Sequence, residues 1–87
     1  MLRYLPKWIL RRANALWASF ASTPFTFADA QKALEKDDSR MVAVVLSELK
    51  RSGWLDANAD ASNGRKKLYR FTHPETMKEV AKIDADG

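Results

Sequence analysis

The stretch SRMVAVVLSELKRSGWL, Ser39 to Leu55, governs how the rest of the chain is read. Its apolar residues Val42, Val45, Leu46 and Leu49 fall at i, i+3, i+4 and i+7, the spacing of one face of an amphipathic helix. The opposite face carries Arg40, Ala43, Ser47, Lys50 and Arg51, and Glu48 is the only carboxylate between Ser39 and Gly53. Gly53 suits the position just past a helix end, where a left-handed backbone is favoured. A helix whose outer face is small and basic is compatible with an anionic partner.

Upstream, the turn EKDDS leads into this helix, with Asp38 or Ser39 as its cap and Asp37 as a solvated neighbour. Before the turn, Ala28 to about Glu35 reads as a short helix whose small apolar side is Ala30, Ala33 and Leu34. Thr26 caps it, with Asp29 three residues on in capping-box position. Pro24 and the alternation Phe25, Thr26, Phe27 predict a very short extended segment. The first helix starts at Pro6, a residue suited to a first turn. Ile9, Ala13, Leu16, Trp17 and Phe20 then repeat at helical spacing up to about Ala21. Tyr4, Leu5 and Trp8 lie off that stripe, so they either pack or offer a contact to a partner.

Downstream of Gly53 the period changes. WLDANADASNGRKKLYRFT holds an Asn63-Gly64 pair between two extended-looking stretches, a hairpin signal. A two-residue turn at Asn63-Gly64 would set Asp60 opposite Lys67 and Asn58 opposite Tyr69. The first arm, DANADA, is poor strand material, and the other reading is a mobile loop from roughly 57 to 64. In that case only Trp54-Leu55 pairs with Tyr69 to Phe71. Leu55, Leu68 and Phe71 are expected in the core with the apolar face of the Ser39 helix. Thr72 and Glu75 form a T-x-x-E capping box around Pro74, His73 is a capping or surface residue, and Met77, Val80 and Ala81 mark a last helix.

Composition narrows the function. The chain has 87 residues and a net charge of +4, which predicts a single domain, residues 1–87, with its core at about 6–83 and an acidic tail at 84–87. Residues 1–21 hold Arg3, Lys7, Arg11 and Arg12 and no acid, and Arg65, Lys66, Lys67 and Arg70 form a second basic group. With no Cys and one His there is no disulfide framework and no thiolate or histidine metal cluster, and no cofactor is expected. No apolar run approaches the roughly 20 residues of a membrane span, and Arg11 and Arg12 interrupt any signal-peptide core, so no membrane role and a cytoplasmic location are expected. No Gly-rich phosphate loop, metal spacing or nucleophile with a base is present, so the chain is not read as an enzyme.

The order helix, short strand, helix, turn, helix, strand, loop, strand, helix resembles the winged-helix family of helix-turn-helix domains. FTFADAQKAL, SRMVAVVLSELKRSGWL and GRKKLYRFT carry the resemblance, which covers about residues 6–83. It implies an α+β, mostly helical fold: a three-helix core, a small β-hairpin wing and a C-terminal helix. It also implies double-stranded DNA binding, with the third helix in the major groove and the wing on the backbone or minor groove, as in a small transcriptional regulator. Carried over position by position, the groove-facing residues are Ser39, Arg40, Ala43, Val44, Ser47 and Lys50. Independently of the family, Ser47, Lys50 and Arg51 lie one to three turns along the helix, within reach of the flanking backbone. The wing residues are Asn63, Gly64, Arg65, Lys66 and Lys67. Val44 is apolar where the family's pattern would have groups able to read bases.

The first and last helices of the family often build dimers, and here they are opposite in charge, which makes a two-fold homodimer an expectation. Tyr4, Leu5, Trp8 and Met77 are its candidate interface residues. The alternative from another class is a winged-helix protein-interaction module without DNA binding, favoured by Ala43 and Val44 as Arg65, Lys66 and Lys67 favour DNA.

Overall fold

The computed structural model describes residues 5–60 and 63–79, with residues 60 and 63–65 described by their backbone only. The chain runs α1 (Lys7–Phe20), α2 (Phe27–Ala33), α3 (Ser39–Arg51), β1 (Leu55–Asp60) and β2 (Asn63–Phe71), then a helical segment over 74–79. Val80, Ala81, Tyr4 and the acidic tail lie outside the described residues.

One apolar cluster holds these elements together. α1 contributes Ile9, Ala13 and Leu16, α2 Ala30, α3 Val42, Val45, Leu46 and Leu49, and the hairpin Leu55 and Phe71. Trp17 and Phe20 are partly buried against this cluster, so both periodic helices place their stripes as their spacing predicts. Leu5 and Met77, expected at an interface, are instead buried in the chain's own core at 3% and 0% exposure. Phe25 is the centre of an aromatic group: it stacks on Phe20 at 4.6 Å and meets Tyr69 and Phe71 at 6.0 and 6.1 Å. Its backbone forms the predicted extended contact, a two-bond bridge to Tyr69 with N···O distances of 2.9 and 2.7 Å.

The caps follow local chemistry. Thr26 and Asp29 make the reciprocal capping box at the start of α2. Asp38, rather than Ser39, caps α3, accepting from the Met41 N–H at 2.8 Å. At the other end Gly53 has φ 86°, and the N–H groups of Gly53 and Trp54 return to the carbonyls of Lys50 and Leu49. That is a Schellman motif, in which the left-handed residue closes the helix and turns the chain.

A hairpin forms between the two expected stretches, but its turn and the extent of its pairing depart from both sequence readings. The ladder pairs Leu55 with Phe71, Asp56 with Arg70, Ala57 with Tyr69, Asn58 with Leu68 and Ala59 with Lys67, then shifts so that Asp60 pairs with Asn63. Thus DANAD is strand, not loop, and the Asn63-Gly64 pair lies within β2 rather than at the turn. Leu55 and Phe71 are the reason: both are buried, and sliding the register by one would carry one of them to the outer face. The same alternation places Leu68 on the face away from Phe71, where it is half-buried and outside the core cluster, contrary to expectation. The predicted T-x-x-E box also fails. The last helical segment begins at Pro74, with the Met77 N–H bonded to the His73 carbonyl, while the Thr72 hydroxyl donates to the Gly53 carbonyl at 2.7 Å. Thr72 thus ties the end of β2 to the corner after α3.

Candidate nucleic-acid interface

α3 presents the outer face that its spacing predicts. Ser39, Arg40, Ala43, Val44, Ser47, Lys50 and Arg51 are all exposed, while Val42, Val45, Leu46 and Leu49 are buried. Arg40, Val44, Ser47 and Arg51 form a row at i, i+4, i+7 and i+11, and Ala43 and Lys50 border it. The first backbone N–H groups of α3 lie at the positive end of the helix, and Lys50 and Arg51 sit in its last turn. The Arg51 guanidinium is paired with Glu48 one turn back, which raises its pKa through that hydrogen bond. An anionic partner at Arg51 must therefore compete with an exposed intrahelical pair, an interaction of small worth.

The wing stands beside α2. Lys66 and Lys67 are exposed, and together with Thr26, Phe27, Ala28 and Tyr69 they line an open cleft of about 450 Å³ between β2 and the start of α2. Asp29 lies in this neighbourhood. Its carboxyl is held below the usual carboxylate range first by the Thr26 backbone N–H, then by the Thr26 side chain, with smaller contributions from Lys32 and Lys66. Proximity of Lys66 to Asp29 is invisible in the sequence, because the Phe25–Tyr69 bridge brings the two segments together. Asn63, Gly64 and Arg65 lie in β2 by their backbone, and the side chains of this part of the wing are outside the described ones. Arg70, not among the expected site residues, is exposed farther along β2 and shares the alternation of Lys66.

Two charged residues of the sequence reading have a different part. Arg12, counted with the basic first helix, makes a two-point contact with Asp37, the residue expected to be a solvated neighbour of the cap. The hydrogen bonds to Arg12 hold the Asp37 carboxyl below its usual range, and those to Asp37 raise the Arg12 pKa. Arg12 also donates to the Trp8 carbonyl and lies over the Trp8 ring, 5.9 Å from its centroid. Arg12 therefore positions the turn before α3 and is not free for a ligand. Trp8 itself is 43% exposed.

Among the described residues, no group of His, Cys, Asp and Glu is arranged to hold a metal ion, and no helix is long and apolar enough to cross a membrane.

The arrangement recurs in solved structures. The chain matches the S. aureus MepR F27L mutant bound to an oligodeoxyribonucleotide with a TM-score of 0.74, at 22% identity over 94% of this chain and 59% of that one. It has the winged-helix fold. The adhesin competence repressor AdcR of Streptococcus pyogenes matches at a TM-score of 0.67 and 20% identity, over 94% of this chain and 56% of AdcR. The PcaV transcriptional regulator of Streptomyces coelicolor matches at 0.65 and 26% identity, over 90% of this chain and 51% of PcaV. Of these similar structures AdcR is a repressor and PcaV a transcriptional regulator, and this chain spans little more than half of each of the three. It is also 33% identical over 69 residues to a type I restriction enzyme methylase subunit, MjaVII, of Methanocaldococcus jannaschii; the match covers 77% of this chain and 12% of that subunit. No family model matches the sequence.

Proposed function

We propose that this winged-helix domain binds double-stranded DNA as a small cytoplasmic transcriptional regulator, with α3 in the major groove and the β1–β2 wing along the backbone. The observation that carries the reading is the outer face of α3, where small and basic side chains are exposed together and the sole acid, Glu48, is paired within the helix. The presence of an oligodeoxyribonucleotide on the similarly folded MepR supports it. In this reading Arg40 meets a guanine edge, the Ser39 hydroxyl a phosphate, and Ser47, Lys50 and Arg51 follow the groove and its flank. Asn63, Gly64, Arg65, Lys66 and Lys67 take the wing's contacts to the backbone. Residues 1–87 are taken as one domain, without a cofactor. A pair of copies joined through the first and last helices, with Trp8 and Tyr4 at the contact, would read half-sites one helical turn apart.

Fluorescence anisotropy of a labelled duplex at about 50 and 200 mM salt tests the reading, because phosphate contacts weaken steeply over that range. Neutralising about four phosphates gives a slope of roughly −3 to −4 in log affinity against log salt. An Arg65→Glu, Lys67→Glu variant that melts like the parent and loses the duplex supports the reading; no binding by the parent at the lower salt sinks it.

The second reading is a protein-interaction module, favoured by the exposure of Trp8 at 43% and Val44 at 41%. Under that reading the Arg65→Glu, Lys67→Glu variant retains its partner, and Trp8→Ala loses it.

A further inference from the structure

Val44 is the one large apolar side chain on the exposed face of α3, at 41% exposure, and its row neighbours are Arg40, Ser47 and Arg51. A single valine between basic and hydroxyl groups is a small contiguous apolar surface. It matches the one apolar group in the major groove, the C5-methyl of thymine, which distinguishes thymine from cytosine in that position. The β-branched side chain has one strongly preferred rotamer in a helix, so its methyl groups are held in place before any contact. Ala43 flanks it with a further methyl and no competing polar group.

Resting on the DNA-binding reading above, we infer that Val44 is a specificity-determining residue that reads a thymine methyl, in the same groove segment where Arg40 reads guanine. Arg40 and Val44 are four residues apart, about 6 Å along the helix axis, which is close to two base-pair steps. The preferred half-site therefore holds a guanine and a thymine about two steps apart. This assigns the apolar position a part in recognition, where hydrogen-bonding chemistry alone would leave it idle.

The test begins with selection of bound duplexes from a random library, followed by replacement of each dT in the selected site by dU, which lacks only the methyl. One or two positions per half-site should weaken about fourfold, the equivalent of one buried methyl-sized group at 0.8 kcal/mol. Val44→Ala, at an exposed position that leaves the core untouched, should erase that difference between dT and dU. Tolerance of dU throughout an otherwise bound site, or the same dU penalty in Val44→Ala, overturns this inference and leaves the DNA reading standing. Failure to bind any duplex at low salt overturns both.

Discussion

The guanidinium of Arg12 meets the carboxylate of Asp37 at two points, Nε to Oδ2 at 2.9 Å and Nη2 to Oδ1 at 2.8 Å, across 25 residues of sequence. Both side chains are largely shielded, at 26% and 16% exposure, and the pair fastens the middle of α1 to the turn that launches α3. Bidentate geometry makes such a contact stronger than a loose surface pair. Arg12→Ala should lower stability by about 1 kcal/mol, read as a shift of the denaturant midpoint with unchanged m-value. In the DNA-binding assay it should cost less affinity than Arg40→Ala, because Arg12 is held inside the fold.

Acid should act through the same carboxylate. The Asp37 pKa is lowered from 3.8 in the folded chain, so the pair contributes stability above that value and loses it as pH falls through the folded pKa. Asp29, held low by Thr26, acts in the same direction. Thermal melts should therefore show the wild type more stable than Asp37→Asn at neutral pH, with the gap closing below about pH 4. A gap that persists at pH 2 would assign the effect to packing instead.

The face of α3 turned inward is a matter of volume. Leu49 is fully buried among core residues of α1, α3 and the hairpin. Leu49→Ala should cost roughly 2–5 kcal/mol, enough to unfold a marginal domain of this size, as urea titration would show.

At the start of α2, removal of the Thr26 hydroxyl frees the Asp29 N–H that it now accepts from. Thr26→Ala should cost about 1 kcal/mol. Gly53→Ala should cost at least as much, since φ 86° disfavours any residue with a Cβ. Melting temperatures of the two single variants and the double variant should add, because the caps share no hydrogen-bond partner.

What the sequence disclosed depended on the range of the interaction. α3 was legible because its stripe, cap and closing glycine all lie between Asp38 and Gly53 and agree with one another. Its outer face followed from the same period, so the exposure of every expected residue on it was legible too. The hairpin was legible as an element, but its register and turn were not. Asp56, Ala57, Asn58 and Ala59 have low β-propensity, and they form a strand because β2 pairs with them and Leu55 has Phe71 opposite. The Asn63-Gly64 signal was local and was overridden by that distant pair, and Leu68, three residues before Phe71, falls on the other face by the alternation of the strand. The Arg12–Asp37 contact and the approach of Lys66 to Asp29 needed tertiary folding to appear at all.

Gly53 does more than finish a helix. Its left-handed turn, secured by two backbone bonds and by the Thr72 hydroxyl on its carbonyl, fixes the angle between α3 and the wing. In the proposed complex these become two arms of a chelate: once one is seated, the other arrives already aimed, at high effective concentration. Each arm alone can then be weak, and loosening the corner would lower the avidity of both without touching a contacting residue.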